Sequence, residues 1–162
     1  MSSSLHDVDV RRTHAQCALT LLRVALGCLF ISVFFENLGK GLYSPSGYSG
    51  LINYYIAKGH GPQLLKSVMA VMASHATVAG PMQGFTEITF GVLLFIGLLT
   101  RPVALGAFFF LTTLWIAEWG TAWIWELLIP MFVALALMIG AAGRCWGVDA
   151  LLAKRHPRSL LW

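Results

Sequence analysis

The sequence predicts an all-α integral membrane protein, a four-helix bundle with one long extracytoplasmic connection containing short interfacial helices. Three observations predict it. Of the 162 residues, 57% are hydrophobic and only 11% charged, and the mean hydropathy of +0.73 is too high for a soluble domain of this length. The apolar residues gather into four runs, each near the roughly 20 residues that a helix needs to cross a hydrocarbon core. Aromatic and turn residues collect between the runs, where a membrane–water interface would lie. The whole chain, 1–162, reads as a single membrane domain.

Taken in order, residues 1–13 are polar, carry Asp7 and Asp9, and show no apolar period, which predicts a flexible cytoplasmic tail. Arg11-Arg12 before an apolar run imitates a signal peptide. Arg23 interrupts that run, however, and no small-x-small cleavage site follows, so residues 17–39 read as an uncleaved first span. Helical phase places Arg23, Gly27, Phe30, Phe34 and Asn37 on one face. Glu36 lies on another, one turn from Lys40. Two alternatives stand for each charge: Arg23 either snorkels to cytoplasmic headgroups or bonds across the bundle, and Glu36 either pairs with Lys40 or serves the function.

The connection from 41 to 77 holds all four tyrosines, Tyr43, Tyr48, Tyr54 and Tyr55. Ser44-Pro45-Ser46-Gly47 is turn chemistry. Beyond it, Tyr48, Leu51, Ile52 and Tyr55 recur at helical spacing, which predicts an amphipathic helix in the outer interface. Residues 58–62 end it, and 63–75 form a second apolar face that carries Lys66 and His75 and is too polar for a span. The second span, 81–99, contains Glu87 on one face with Gly84 and Gly91, so a neighbouring helix can approach and cover the carboxylate. Thr100-Arg101-Pro102 reads as a cytoplasmic turn. The third span, 103–118, ends in a hairpin belted by Trp115, Trp119, Trp123 and Trp125. The fourth, 122–142, carries Glu126 and Pro130, and 144–162 is a basic cytoplasmic tail.

This arrangement sorts the eleven Lys and Arg residues. Arg11, Arg12, Arg23, Arg101, Arg144, Lys154, Arg155 and Arg158 fall on the side of the termini, and Lys40, Lys58 and Lys66 on the other. The positive-inside rule then puts both termini in the cytoplasm. Cations so thinly spread, and flanking spans, point to lipid headgroups and argue against nucleic acid as a partner. Cys17, Cys28 and Cys145 have neither CxxC nor metal-ligand spacing and make no even set for disulfides, so they read as embedded thiols. No dinucleotide, phosphate or haem motif occurs. Redox work would therefore require a diffusible quinone or a partner subunit, and no metal is expected.

The acidic residues carry the sharpest functional signal. Three aspartates lie in the tails, and the four glutamates, Glu36, Glu87, Glu118 and Glu126, lie in or at the edges of spans, converging in this arrangement on the extracytoplasmic half. Intramembrane ionisable groups pair, face the interior and mark substrate or proton pathways. Each two-electron quinone reduction takes up two protons, so Glu87 and Glu36 are the catalytic candidates. Lys40, Arg23, Glu118 and Glu126 are the candidates for substrate binding. Glu118 and Glu126 could equally sit in headgroup water beside the hairpin, and His60 and His75 read as ordinary loop histidines.

Three stretches carry a family resemblance. They are Arg23-Val-Ala-Leu-Gly27-Cys-Leu-Phe30 leading to Gly39-Lys40, Glu87-Ile-Thr-Phe-Gly91 leading to Gly97-Leu-Leu-Thr-Arg101-Pro, and Gly143-Arg-Cys-Trp-Gly147-Val-Asp149. Their order and spacing over residues 21–152 resemble the DoxX/DoxD family of four-helix bacterial and archaeal membrane proteins. The Gly-Leu-Tyr-Ser-Pro-Ser-Gly-Tyr stretch after Lys40 is similar to the DoxD side, that of the membrane subunit of thiosulfate:quinone oxidoreductase. The resemblance implies a subunit in the cytoplasmic (inner) membrane of a bacterium or archaeon that passes electrons from thiosulfate, or a similar small anionic donor, to membrane quinone. It also implies a second subunit or soluble redox partner. Two other functions are open to the same residues: a non-catalytic membrane scaffold that recruits a soluble redox enzyme, and a small proton-coupled transporter.

Overall fold

The computed structural model describes the backbone of residues 2–156 and 159, with side chains from residue 16 onward. Its described residues form seven helices: α1 Ser2–Gly39, α2 Pro45–Lys58, α3 Gln63–Ser74, α4 Ala76–Ile96, α5 Thr100–Ala117, α6 Ile124–Gly140 and α7 Val148–Arg155, with a 3-10 turn at Ala142–Arg144 before α7. Three helices are long and apolar enough to cross a membrane: the Gln16–Gly39 part of α1, α4 and α5. α6 is an apolar helix of 17 residues, about 25 Å long at 1.5 Å per residue.

The boundaries follow local chemistry. α1 continues back to Ser2 through the stretch that composition marks as a tail. It stops where Gly41, at φ +69°, takes the left-handed conformation that glycine adopts without strain. Ser44 caps α2, its Oγ accepting from the backbone N–H of Gly47 at 3.1 Å, and Pro45 occupies the first helical position. α4 begins at Ala76, five residues before the expected start at Pro81. Pro81 removes the bond to the carbonyl one turn back, and the helix runs through it. Thr100, expected in a turn, already opens α5, because the carboxylate of Asp149 accepts from the N–H groups of Leu99 (2.7 Å) and Thr100 (2.8 Å) and caps that helix.

α1 packs along α4, α5 along α6, and the two pairs meet through α1–α6 and α4–α5 contacts. The shared core takes Leu26 and Phe30 from α1, Leu94 from α4, Ala104, Ala107 and Leu111 from α5, and Ala134 and Leu137 from α6. Phe30, Phe90 and Phe110 meet edge to face or tilted at 5.6–6.2 Å between ring centres. The α1–α4 crossing is close because of two glycines. A Cβ on Gly27 would lie 2.8 Å from the Phe95 nitrogen, and one on Gly91 would lie 2.7 Å from Cγ1 of Ile31. α2 presents Tyr48 and Ile52 to a smaller core with Met69, Ala76 and Ala117, which seats the α2–α3 pair on α4 and the end of α5. Phe35, Phe85, Phe109 and Ile139 point outward, as lipid-facing residues of a multi-pass membrane protein do.

One expectation about the cysteines is overturned. Cys17 and Cys145 are joined in a disulfide with 5.3 Å between their Cα atoms. The 3-10 turn carries residue 145 back across α1, a proximity 128 residues apart in sequence that spacing alone does not reveal. Cys28 is free and exposed.

Candidate functional site

Because α1 and α4 run antiparallel, the end of α1 meets the first half of α4 beside the α1–α2 loop. Glu87 sits there, 2% exposed. Its Oε2 accepts from the Tyr43 hydroxyl at 2.5 Å and from Nδ2 of Asn37 at 3.3 Å, and its Oε1 accepts from Nε2 of Gln83 at 2.9 Å. Three neutral donors from three segments therefore enclose one carboxylate. The Gly84-Glu87-Gly91 face forms the seam as expected. Gly91 lies against α1, while Gly84 lies under the Tyr43 ring, where a Cβ would be 3.1 Å from Cγ. Tyr43 also stacks on Phe34, 5.5 Å between centres and 22° between planes. Burial and the bond to Glu87 push the Tyr43 hydroxyl's pKa well up, so it stays protonated and donates.

Gln83 also lines a surface groove between α3 and α4, with Val71, Met72, His75, Met82 and Phe110. The groove encloses about 410 Å³ and is almost wholly apolar apart from Gln83, His75 and Thr86. His75 Nδ1 lies 3.0 Å from the Val71 carbonyl, which can only accept. Nδ1 lies at the same 3.0 Å from the Ser74 hydroxyl, which can donate to it or accept from it.

The other glutamates separate from Glu87. Glu118, the first residue past α5, accepts from the Tyr55 hydroxyl at 2.8 Å. Burial raises its pKa above the usual carboxylate range; the Tyr55 bond opposes that shift and the charge of nearby Glu126 adds to it. The Tyr55 hydroxyl is raised too, by burial first and then by Glu118. Glu118 lines a cavity of about 240 Å³ walled by Trp115, Trp119, Trp123 and Leu127, with Trp115 stacked on Trp119 at 5.5 Å. The 59–61 loop closes over this hairpin. His60 N–H donates to the Trp119 carbonyl at 2.7 Å, and its imidazole covers Gly120, which at φ +88° leaves no room for a Cβ.

Glu36 does not join either group. It is exposed and paired with Lys40 one turn on, Nζ to Oε1 2.5 Å, because helical phase turns Asn37, and not Glu36, toward Glu87. Glu87, the Glu118–Glu126 neighbourhood and the Glu36–Lys40 pair thus stand at three separate places. Arg23 is 1% exposed and does not snorkel. Its Nη2 donates to the Trp146 carbonyl at 2.9 Å and its Nη1 to that of Ala142 at 3.3 Å, so it bonds inward to the loop before α7. Among the described residues, no group of three or more His, Cys, Asp or Glu could hold a metal ion.

A family model described as TQO (thiosulfate:quinone oxidoreductase) small subunit DoxD matches residues 18–161, nearly the whole chain. The chain belongs to the DoxD family. No curated protein and no solved structure matches it. All three stretches that carry the DoxD resemblance lie within the matched range. Glu87 and Gly91 belong to the enclosed carboxylate and its seam, while Gly143 and Asp149 belong to the cap on α5. Sequence reasoning missed Tyr43, Gln83, Tyr55 and Asp149 as partners. Tyr43 is the first tyrosine after Gly41, and Gln83 precedes Glu87 by one helical turn; those two spacings were the available signals.

Proposed function

We propose that this DoxD chain is the membrane subunit of a quinone-linked oxidoreductase, in which electrons from thiosulfate or a similar small anion reach membrane quinone. The observation that carries this reading is the buried Glu87 carboxylate, linked through Gln83 to an apolar surface groove between α3 and α4. A quinone is a planar head on an apolar tail. The tail suits the groove between α3 and α4, and the head would meet Gln83, its one polar contact on the α4 side that also touches Glu87. Quinone reduction consumes two protons with two electrons. Glu87 is placed to hand on a proton when Gln83 leaves Oε1 for the quinone, and Tyr43 and Asn37 hold its other oxygen meanwhile.

Electrons come from outside the chain. The family description names a small subunit, and a second subunit would carry the donor side. Lys40, with Glu36 at the rim, is the cation that a small dianion would meet first. Glu118 and Glu126 form a second acidic position under the tryptophan hairpin. In the membrane, α1, α4, α5 and α6 make four crossings with both termini cytoplasmic, as the distribution of Lys and Arg favours. This places the α2–α3 connection and both glutamate sites on the extracytoplasmic half of an inner-membrane protein.

The test is turnover. The chain co-purified in detergent with its partner subunit should reduce a short-chain quinone analogue with thiosulfate, and Glu87→Gln should lower that rate while leaving the complex intact. If no partner combination supports turnover with Glu87 in place, the catalytic reading fails and the scaffold function is left.

A further inference from the structure

At the end of the molecule opposite Glu87, three residues on one face of α1 hold the loop that precedes α7. Cys17 is bonded to Cys145. One turn on, Thr20 Oγ1 donates to the Cys145 carbonyl at 3.0 Å, and a turn further Arg23 reaches the carbonyls of Trp146 and Ala142. Asp149, just beyond, caps α5 and donates its own N–H to the Gly97 carbonyl at 2.9 Å. The loop is therefore fixed by noncovalent bonds on both sides of Cys145. Opening the disulfide would leave two thiols facing each other, with the clamp that aligns them still in place.

Two further observations bear on what such a bond does. Both cysteines are only partly buried. The charge distribution puts this end of the molecule in the cytoplasm, where thiols are kept reduced and a disulfide, when present, is usually transient and redox-active. A permanent staple has no evident place there.

We propose that Cys17 and Cys145 form a redox-active pair that exchanges with a protein dithiol on the cytoplasmic side, a site separate from the quinone groove. A partner thiolate attacks one sulfur of the pair and forms a mixed disulfide, and the displaced sulfur takes up a proton. The partner's second thiol then resolves the mixed disulfide, leaving Cys17 and Cys145 as thiols and the partner oxidised. Two electrons and two protons have passed to the chain, and exchange with an oxidised partner runs the same steps in reverse.

The inference rests on the cytoplasmic placement of the termini and not on quinone turnover, so its test reads thiols alone. The Cys28→Ser chain, which keeps the pair and removes the exposed third thiol, is taken from growing cells quenched in acid and alkylated under denaturing conditions with a maleimide–polyethylene glycol reagent. Two adducts per chain in untreated cells, lost after a pulse of diamide and restored on recovery, are expected. In detergent, dithiothreitol as the probe dithiol should restore both adducts in the folded protein. A bond fully oxidised in cells that yields to dithiothreitol only after denaturation would overturn the proposal, as would two thiols that never bridge under diamide. A membrane-impermeant maleimide added to intact cells separates the causes. Labelling of the reduced pair from outside would place the termini extracytoplasmically and overturn the topology as well, whereas quinone reductase activity would be unaffected by either result.

Discussion

The Tyr43 hydroxyl donates to Oε2 of Glu87 at 2.5 Å, so the α1–α2 loop closes directly on a carboxylate buried in α4. A buried charge-assisted bond of this kind contributes about 1.5–3 kcal/mol. Tyr43→Phe keeps the ring stacked on Phe34 and removes only the donor. Its unfolding free energy in detergent should fall by an amount in that range. Glu87→Gln keeps the shape but turns one acceptor oxygen into an NH2 donor, which Gln83 can meet only by turning its own amide oxygen toward it. It cannot release a proton and should lower quinone reduction by about a hundredfold or more. Equal losses of rate and stability in both variants would mean that Glu87 is purely structural.

Glu118 gives a prediction about pH. Its pKa is raised in the folded protein, so the folded state binds more protons than the unfolded chain between the ordinary glutamate pKa and the raised one. Stability contributed by this group is full below the ordinary value, about 4.3, and is lost as pH rises through the raised value. Glu118→Gln cannot ionise. Thermal denaturation in detergent at neutral pH should show it more stable than the unsubstituted chain, with the gap closing at about pH 4. A gap that widens on acidification would contradict the shift.

The opposite end of the molecule should depend on Arg23 and Asp149. Replacing Arg23 with Met removes two donors from the carbonyls of Ala142 and Trp146 and should cost about 2–5 kcal/mol. Asp149→Ala leaves the N–H groups of Leu99 and Thr100 uncapped and should cost about 1–2 kcal/mol. Trp146 at φ +48° adopts a conformation that a side chain disfavours, and the Arg23 bond helps to hold it there. Proteolysis should therefore cut the 141–147 segment faster in Arg23→Met than in the unsubstituted chain, and an unchanged cutting rate would show that the clamp is dispensable.

Much of this was legible from period and phase. The face Arg23, Gly27, Phe30, Phe34, Asn37 is the buried face of α1, and it supplies the clamp, the glycine crossing, a core ring, the stack on Tyr43 and a donor to Glu87 in turn. Gly84, Glu87 and Gly91 share their seam for the same reason. A helix repeats so regularly that which residues share a face can be read without knowing the fold. What that face meets cannot be read in this way. Tyr43 reaches Glu87 only because Gly41 reverses the chain. Cys17 finds Cys145 only because the 3-10 turn doubles back on α1. Glu36 shows the hazard in the other direction, since a carboxylate at the right depth faces outward to Lys40 when the next residue takes the inward position. Asp149 looked like part of a solvated tail, and its burial depends on the α4–α5 turn offering it two free N–H groups.

The position of Gly84 links packing to the carboxylate and allows the sharpest test. A methyl group there would lie 3.1 Å from Cγ of Tyr43, closer than side chains normally approach, and the ring is also stacked on Phe34. Gly84→Ala should therefore push Tyr43 away from Glu87, at a cost of about 1–3 kcal/mol for overpacking, and weaken the hydroxyl bond without touching either partner chemically. If the effect runs through Tyr43, Gly84→Ala should add little to the loss of rate in a Tyr43→Phe background, a coupling that a double-mutant cycle measures directly. Fully additive losses would mean that Gly84 matters for the α4 backbone alone.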